Sequence, residues 1–263
     1  MNTVLITGAG SGIGAAVAKQ LAKREGMRLL LMGRRLQPLL DVKDSLHHAE
    51  EHVVVSMDVS HANDLAHWLN GDEANLREHP LVGVFANAGV GGPNVFGPND
   101  RWEEIIRINL TGTYNTLMAC QPHLKKSEGV THALVTSSVL ARFGVPGQSA
   151  YVASKTGLLG LVRSLAVEWS PDGIMVNALC PGWVETEMAQ NSIQAMADAQ
   201  GISYEESKAQ QEAILPAGRV SSPGEIAQWV DFLFSGLAAG CDQRRVETFT
   251  GQALDVNSGS WMG

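Results

Sequence analysis

The chain has 263 residues, 44% of them apolar and 17% charged, which supplies a buried core and excludes the low hydrophobicity and high charge of a disordered chain. A formal net charge of -8 excludes a broad surface for phosphate backbones, so nucleic acid is not an expected partner. No run of eighteen apolar residues can span a bilayer, and the first apolar run, at 4 to 6, starts too near Met1 for a cleavable leader. A soluble, uncleaved, cytoplasmic protein with no membrane partner is expected.

Cys120, Cys180 and Cys241 are odd in number and free of any CxxC or Cys/His pattern, so neither disulfides nor a metal site is indicated. His61 and His67 lie six apart, missing the i, i+4 spacing of two ligands on one helical face, and read as surface residues.

Along the chain, short apolar runs at 4–7, 29–32, 53–55, 82–86, 133–137, 174–179 and 253–256 alternate with longer segments of helical period, such as Ile13, Val17 and Leu21. Seven strands buried on both faces predict a doubly wound, Rossmann-type, mostly parallel sheet with helices on both faces. Right-handed crossovers then gather the loop after each strand along one sheet edge. No internal repeat or linker interrupts the chain, which is read as one domain over 1–263.

The first strand runs into Thr7-Gly8-Ala9-Gly10-Ser11-Gly12-Ile13-Gly14. Glycines at 8, 12 and 14 allow a sharp turn and let a pyrophosphate reach N–H groups at the positive end of a helix, with Ser11 and Ile13 between them. The spacing is not GxGxxG. After the second strand, Gly33-Arg34-Arg35 stands nineteen residues beyond Gly14, near where an NAD site places a carboxylate on the ribose. No carboxylate is present. Gly33 opens space and Arg34, with Arg35 beside it, offers a charged fork for a 2′-phosphate, which points to NADP, with NAD the other possibility.

Tyr151 and Lys155 open a segment continued by Leu158, Val162 and Leu165, so both project from one helical face. A tyrosine is a poor base at neutral pH, and a neighbouring ammonium is expected to favour its phenolate; a shift of about three units needs roughly 4 kcal/mol.

Taken together, these motifs resemble the short-chain dehydrogenase/reductase family over essentially the whole chain. TGxxxGxG is met at Thr7 to Gly14, an Asp after the third strand at Asp58-Val59, NAG at Asn87-Ala88-Gly89, and the helix Asn at Asn109. Ser138 stands thirteen before Tyr151, YxxxK at 151 to 155, and PGxVxT at Pro181-Gly182-Trp183-Val184-Glu185-Thr186. The resemblance implies that Asp58 and the Val59 backbone bind adenine. It further implies that Asn87, Ala88 and Gly89 line the cofactor, and that the turn containing Pro181, Gly182, Val184 and Thr186 holds the carboxamide. Lys155 would grip the nicotinamide ribose. Ser138 would orient the reacting oxygen, Tyr151 would exchange its proton, and Asn109 would hold a water joining Lys155 to solvent. Asn109 capping backbone groups, and Ser137 in place of Ser138, are the competing assignments; the spacing favours Ser138.

The chain departs from the family at Ala86, where Asn is usual, and at Asn257-Ser258-Gly259, where Asp-Gly-Gly is common. The resemblance also implies a homo-oligomer, dimer or tetramer.

Residues 139–148, Trp183 and Met188 flank these motifs and form a mostly apolar border with Gln148 as a polar handle, suited to a secondary alcohol or ketone. The segment 185–219 breaks the alternation and reads as a mobile lid, with a plain surface helical insertion as the alternative; Lys208 or Arg219 would bring charge to the substrate. Ser222-Pro223-Gly224-Glu225 opens the next helix. The expected activity is hydride transfer between a nicotinamide and a small-molecule alcohol or carbonyl substrate. The alternative is a catalytically silent cofactor-binding or scaffolding protein of the same fold.

Overall fold

The computed structural model describes residues 1–235, 237 and 248–263, so Cys241 lies outside the described residues. Its strands are β1 (Asn2–Thr7), β2 (Met27–Gly33), β3 (Val53–Ser56), β4 (Leu81–Ala86), β5 (Thr131–Thr136), β6 (Ile174–Pro181) and β7 (Ala253–Val256). All seven overlap the predicted runs. They form one sheet in the order β3-β2-β1-β4-β5-β6-β7, and every ladder is parallel, not merely most of them.

The apolar runs lack alternation because both faces of the sheet are covered. Leu5, Leu30, Val84, Ala133 and Val176 pack on one face against α3 (Ala62–Leu69), α5 (Gly112–Leu124) and α6 (Ser149–Trp169). Val4, Ile6, Leu29, Leu31 and Phe85 face the other side, towards α1 (Gly12–Leu21), α2 (Leu36–Asp44) and α9 (Pro223–Leu233). A helix α4 (Trp102–Ile106) leads through a π-helical turn, Arg107–Thr111, into α5.

The segment after β6 folds as α7 (Glu187–Gln200) and α8 (Tyr204–Ala213), which pack together. The Ser207 hydroxyl, buried between them, donates to the Ile193 carbonyl at 3.1 Å. Ser203 and Glu206 cap α8 reciprocally, and Ser222 and Glu225 do the same for α9, with Pro223 in its first turn. That start for α9 agrees with the sequence. Lys208 and Arg219 pair with Glu185, at 3.2 Å, and Glu225, at 2.5 Å.

The order of strands changes direction between β1 and β4, which separates the loops after them and opens a crevice at the sheet's carboxyl edge.

Candidate active site

Gly8 has φ +67°, a left-handed conformation that suits glycine, and a Cβ on Gly14 would collide with the Gly8 carbonyl oxygen. The turn is thus closed on itself at the start of α1. Ser11 occupies the N-cap of that helix, but its side chain makes no capping bond. Across the crevice, a Cβ on Gly12 would stand 3.1 Å from the Thr186 methyl, so the glycine turn and the turn after β6 abut. Thr186 caps α7, accepting from the Ala189 N–H at 3.3 Å.

Thr7 ties the glycine turn to the next loop: its hydroxyl accepts from the N–H groups of Asn87 at 2.9 Å and Ala88 at 3.0 Å. Asn87 in turn donates to the Thr7 carbonyl at 3.1 Å and accepts from the Thr136 hydroxyl at 3.0 Å. Ala86, where the family usually has Asn, is buried in β4 opposite Val135.

A groove opens beside these loops, lined by Gly10, Arg34, Arg35, Asp58, Val59 and Ala88. Arg34 and Arg35 follow β2, with Arg35 at the N-cap of α2, and neither makes an ion pair among the described residues. Partial burial raises the Asp58 pKa, but the Ser60 N–H and the charges of Arg34 and Arg107 outweigh it and hold the carboxyl below its usual range.

At the other end of the crevice, Ser138, Tyr151 and Lys155 converge from β5 and α6. Ser138 stands near enough to the Tyr151 phenol to lower its pKa, and its hydroxyl accepts from the Leu140 N–H at 3.1 Å. The neighbouring Ser137 hydroxyl is occupied elsewhere, donating to the Lys155 main-chain carbonyl at 2.9 Å. Lys155 Nζ donates to the Thr136 carbonyl at 2.8 Å and lies 5.6 Å from the Tyr151 ring centroid. Burial lowers the Lys155 pKa to about 8.

Tyr151 departs from the sequence expectation. The residue is half-buried, and desolvation of its hydroxyl raises the pKa, which the neighbouring Ser138 only partly opposes. The ammonium is engaged by a carbonyl instead of the phenolic oxygen, so the cost of dehydrating phenolate dominates. At neutral pH the phenol keeps its proton.

Asn109 is fully buried in the π-helical turn. Its side chain brackets Val90, accepting from the N–H at 2.8 Å and donating to the carbonyl at 2.9 Å. A Cβ on Gly89 would lie 3.2 Å from Asn109 Oδ1 and 3.5 Å from Lys155 Nζ, which places these residues around one small space.

Of the substrate candidates, Met188 reaches over the loop after β4, where a Cβ on Gly91 would stand 3.0 Å from its sulfur. Gln148 sits at the N-cap of α6. The Trp183 carbonyl accepts from the Ser221 N–H at 3.0 Å, and Val184 bridges Ser221. Asn257 packs its backbone against Gly182; its side chain accepts from the Gly259 N–H at 3.0 Å and donates to the Trp261 carbonyl at 3.2 Å. A carboxylate could only accept, so the Asn departure is explained by this second bond.

Thr136 and Asn94 belong to the site but were not singled out from the sequence. Thr136 meets Lys155 through its main-chain carbonyl, for which residue type carries no signal, and Asn87 through its hydroxyl. Asn94 lies in a loop of Gly and Pro with no recognisable periodicity.

A family model, short chain dehydrogenase, matches residues 2–197. D-beta-hydroxybutyrate dehydrogenase of Cupriavidus necator is 30% identical over 251 residues, covering 90% of this chain and 92% of that protein. The 3-oxoacyl-(acyl-carrier-protein) reductase FabG of Aggregatibacter actinomycetemcomitans is 30% identical over 262 residues, covering 98% of both. A variant of actinorhodin polyketide ketoreductase, solved with NADPH, is 30% identical with a TM-score of 0.86, covering 98% of this chain and 97% of that one. No helix among the described residues is long and apolar enough to cross a membrane.

Proposed function

Since the chain belongs to the short-chain dehydrogenase family of NAD(P)-binding oxidoreductases, we propose that it interconverts a secondary alcohol and a ketone with NADP as the preferred cofactor. The observation that carries this reading is the convergence of Tyr151 with the buried Ser138 and Lys155, the Lys155 Nζ lying 5.6 Å from the Tyr151 ring centroid one helical turn away.

The crevice fits a dinucleotide. The close approach of Gly14 to Gly8 leaves no room for a side chain at position 14, and the groove beyond the turn offers Arg34, Arg35, Asp58 and Val59 for the adenosine half. Asn87 to Gly89 line its middle, and Pro181 to Thr186 with Lys155 would hold the nicotinamide half. When bound, the nicotinamide supplies or accepts the hydride.

The protein's own groups handle the oxygen. Ser138 orients the substrate oxygen with its hydroxyl, and Tyr151 donates the phenolic proton as that oxygen gains charge. A phenol that keeps its proton at neutral pH suits the reduction direction. Lys155, mostly charged below about pH 8, supports the developing phenolate. Asn109 is assigned the water that links Lys155 to solvent. Its side chain is committed to Val90, so its main-chain carbonyl is the group that serves, sharing its lone pairs with the Thr113 hydroxyl at 2.7 Å.

The chain is read as one domain. Met188 over Gly91, with Trp183 and Gln148, borders the substrate, and the α7–α8 hairpin acts as a lid that closes on it.

A panel of ketones and secondary alcohols with NADPH, NADH and their oxidised forms tests this reading. Turnover of a ketone, faster with NADPH, is expected. No turnover in either direction would favour the silent, cofactor-binding alternative. Arg34→Ala separately tests the cofactor assignment: loss of a charge-assisted contact of about 1.5 to 3 kcal/mol should weaken NADP roughly tenfold to a hundredfold, and NAD less. Equal weakening of both cofactors in a binding titration would refute the role of Arg34.

A further inference from the structure

We infer that Asn94 is a positioning residue for Tyr151, serving as the N-terminal cap of α6 from a distant loop; the inference rests on the proposed role of Tyr151 as proton donor. A helix leaves its first N–H groups without internal partners, and a side chain at the N-cap normally accepts from one of them. In α6 the N-cap is Gln148, whose side chain makes no such bond. Asn94 Oδ1 takes its place, accepting from the Ala150 N–H at 2.8 Å and from the Ser149 hydroxyl at 3.2 Å. Ala150 is fully buried and immediately precedes Tyr151, so the N–H would have no solvent to fall back on.

The remaining bonds of Asn94 make it a brace between two helices. Its N–H donates to the Gly147 carbonyl at 2.9 Å, just before α6. Its Nδ2 donates to Asp100 Oδ1 at 3.2 Å, and that oxygen also accepts from the Trp102 N–H at 3.0 Å, at the start of α4. The helices that begin at these two points lead to Tyr151 and, through the π turn, to Asn109. Apolar packing does not anchor the loop at this point: the next residues, Val95 and Phe96, are 73% and 98% exposed. The polar contacts of Asn94 hold the loop against the start of α6, and slack there would move the phenol relative to Ser138. Small displacements of a catalytic group cost up to about a hundredfold in rate.

The test combines Asn94→Ala, Asn94→Asp and the exchanged pair Asn94→Asp with Asp100→Asn, read by kinetics and by amide hydrogen exchange. Asn94→Ala should lower kcat roughly tenfold to a hundredfold with the KM for NADPH unchanged, and speed exchange at residues 150–152 but not in the sheet. Asn94→Asp keeps the acceptor for Ala150 but sets a carboxylate against Asp100, so it should improve as the pH falls. The exchanged pair restores a donor between the two positions and should recover both kcat and protection.

Normal kcat and normal exchange in Asn94→Ala would overturn the proposal. So would loss of kcat that the exchanged pair fails to recover while protection returns. If the wild type turned over no carbonyl compound, the proposed function would fall. Exchange at residues 150–152 would then still decide whether Asn94 holds the start of α6.

Discussion

Tyr151→Phe is expected to lower kcat by roughly a hundredfold to ten-thousandfold, the usual contribution of a positioned acid or base, while dinucleotide affinity stays close to that of the wild type. The substitution removes one oxygen and leaves the ring. The ring is what α6 and the neighbouring ammonium see, with Lys155 Nζ 5.6 Å from its centroid. The Ser138 hydroxyl keeps the Leu140 N–H at 3.1 Å, so the loop after β5 should not move. The loss should therefore fall on the chemical step. Steady-state kinetics on the best substrate of the panel, with a cofactor titration alongside, would check it. Retained kcat in the variant would exclude the phenol as the proton donor and turn attention to Ser138 or a water.

Lys155→Met is expected to change how stability depends on pH. Burial lowers the Lys155 pKa from 10.5 to about 8, so between these values the unfolded chain binds more protons than the folded one. Stability therefore rises with pH across this window in the wild type, and the gain is lost as the pH falls through about 8. For a shift of this size, the change between pH 7.5 and 9.5 comes to about 2 kcal/mol. Methionine fills a similar volume and does not titrate. Urea unfolding of both proteins at the two pH values would show the wild type gaining relative to the variant. Tyr151, whose pKa is raised, acts in the opposite sense but only above its ordinary range near 10, and is common to both proteins. Parallel pH profiles for the two proteins would mean that Lys155 is not held in a dehydrated site.

These two expectations are linked in the mechanism. Desolvation raises the pKa of the phenol and lowers that of the ammonium, which donates to the Thr136 carbonyl at 2.8 Å.

Much of the molecule was determined by the sequence alone. Seven apolar runs identified seven strands because a parallel sheet covered on both faces needs continuous apolar segments, and the motifs fell after strand ends because crossovers return the chain to one edge. The glycine turn, the Tyr151–Lys155 spacing and the cap at Ser222 are local in sequence, and local sterics and hydrogen bonding sufficed to read them. What tertiary structure decided involves partners far apart in the chain. The Ser137 hydroxyl is taken up by the Lys155 carbonyl of α6, and Lys208 and Arg219 pair with Glu185 and Glu225, contacts that no local pattern announces. Asn94 caps a helix that begins over fifty residues later. Tyr151 and Lys155 changed most: spacing placed them side by side and suggested a lowered phenol pKa, but desolvation is a collective property of the folded chain, and it moves the phenol the other way.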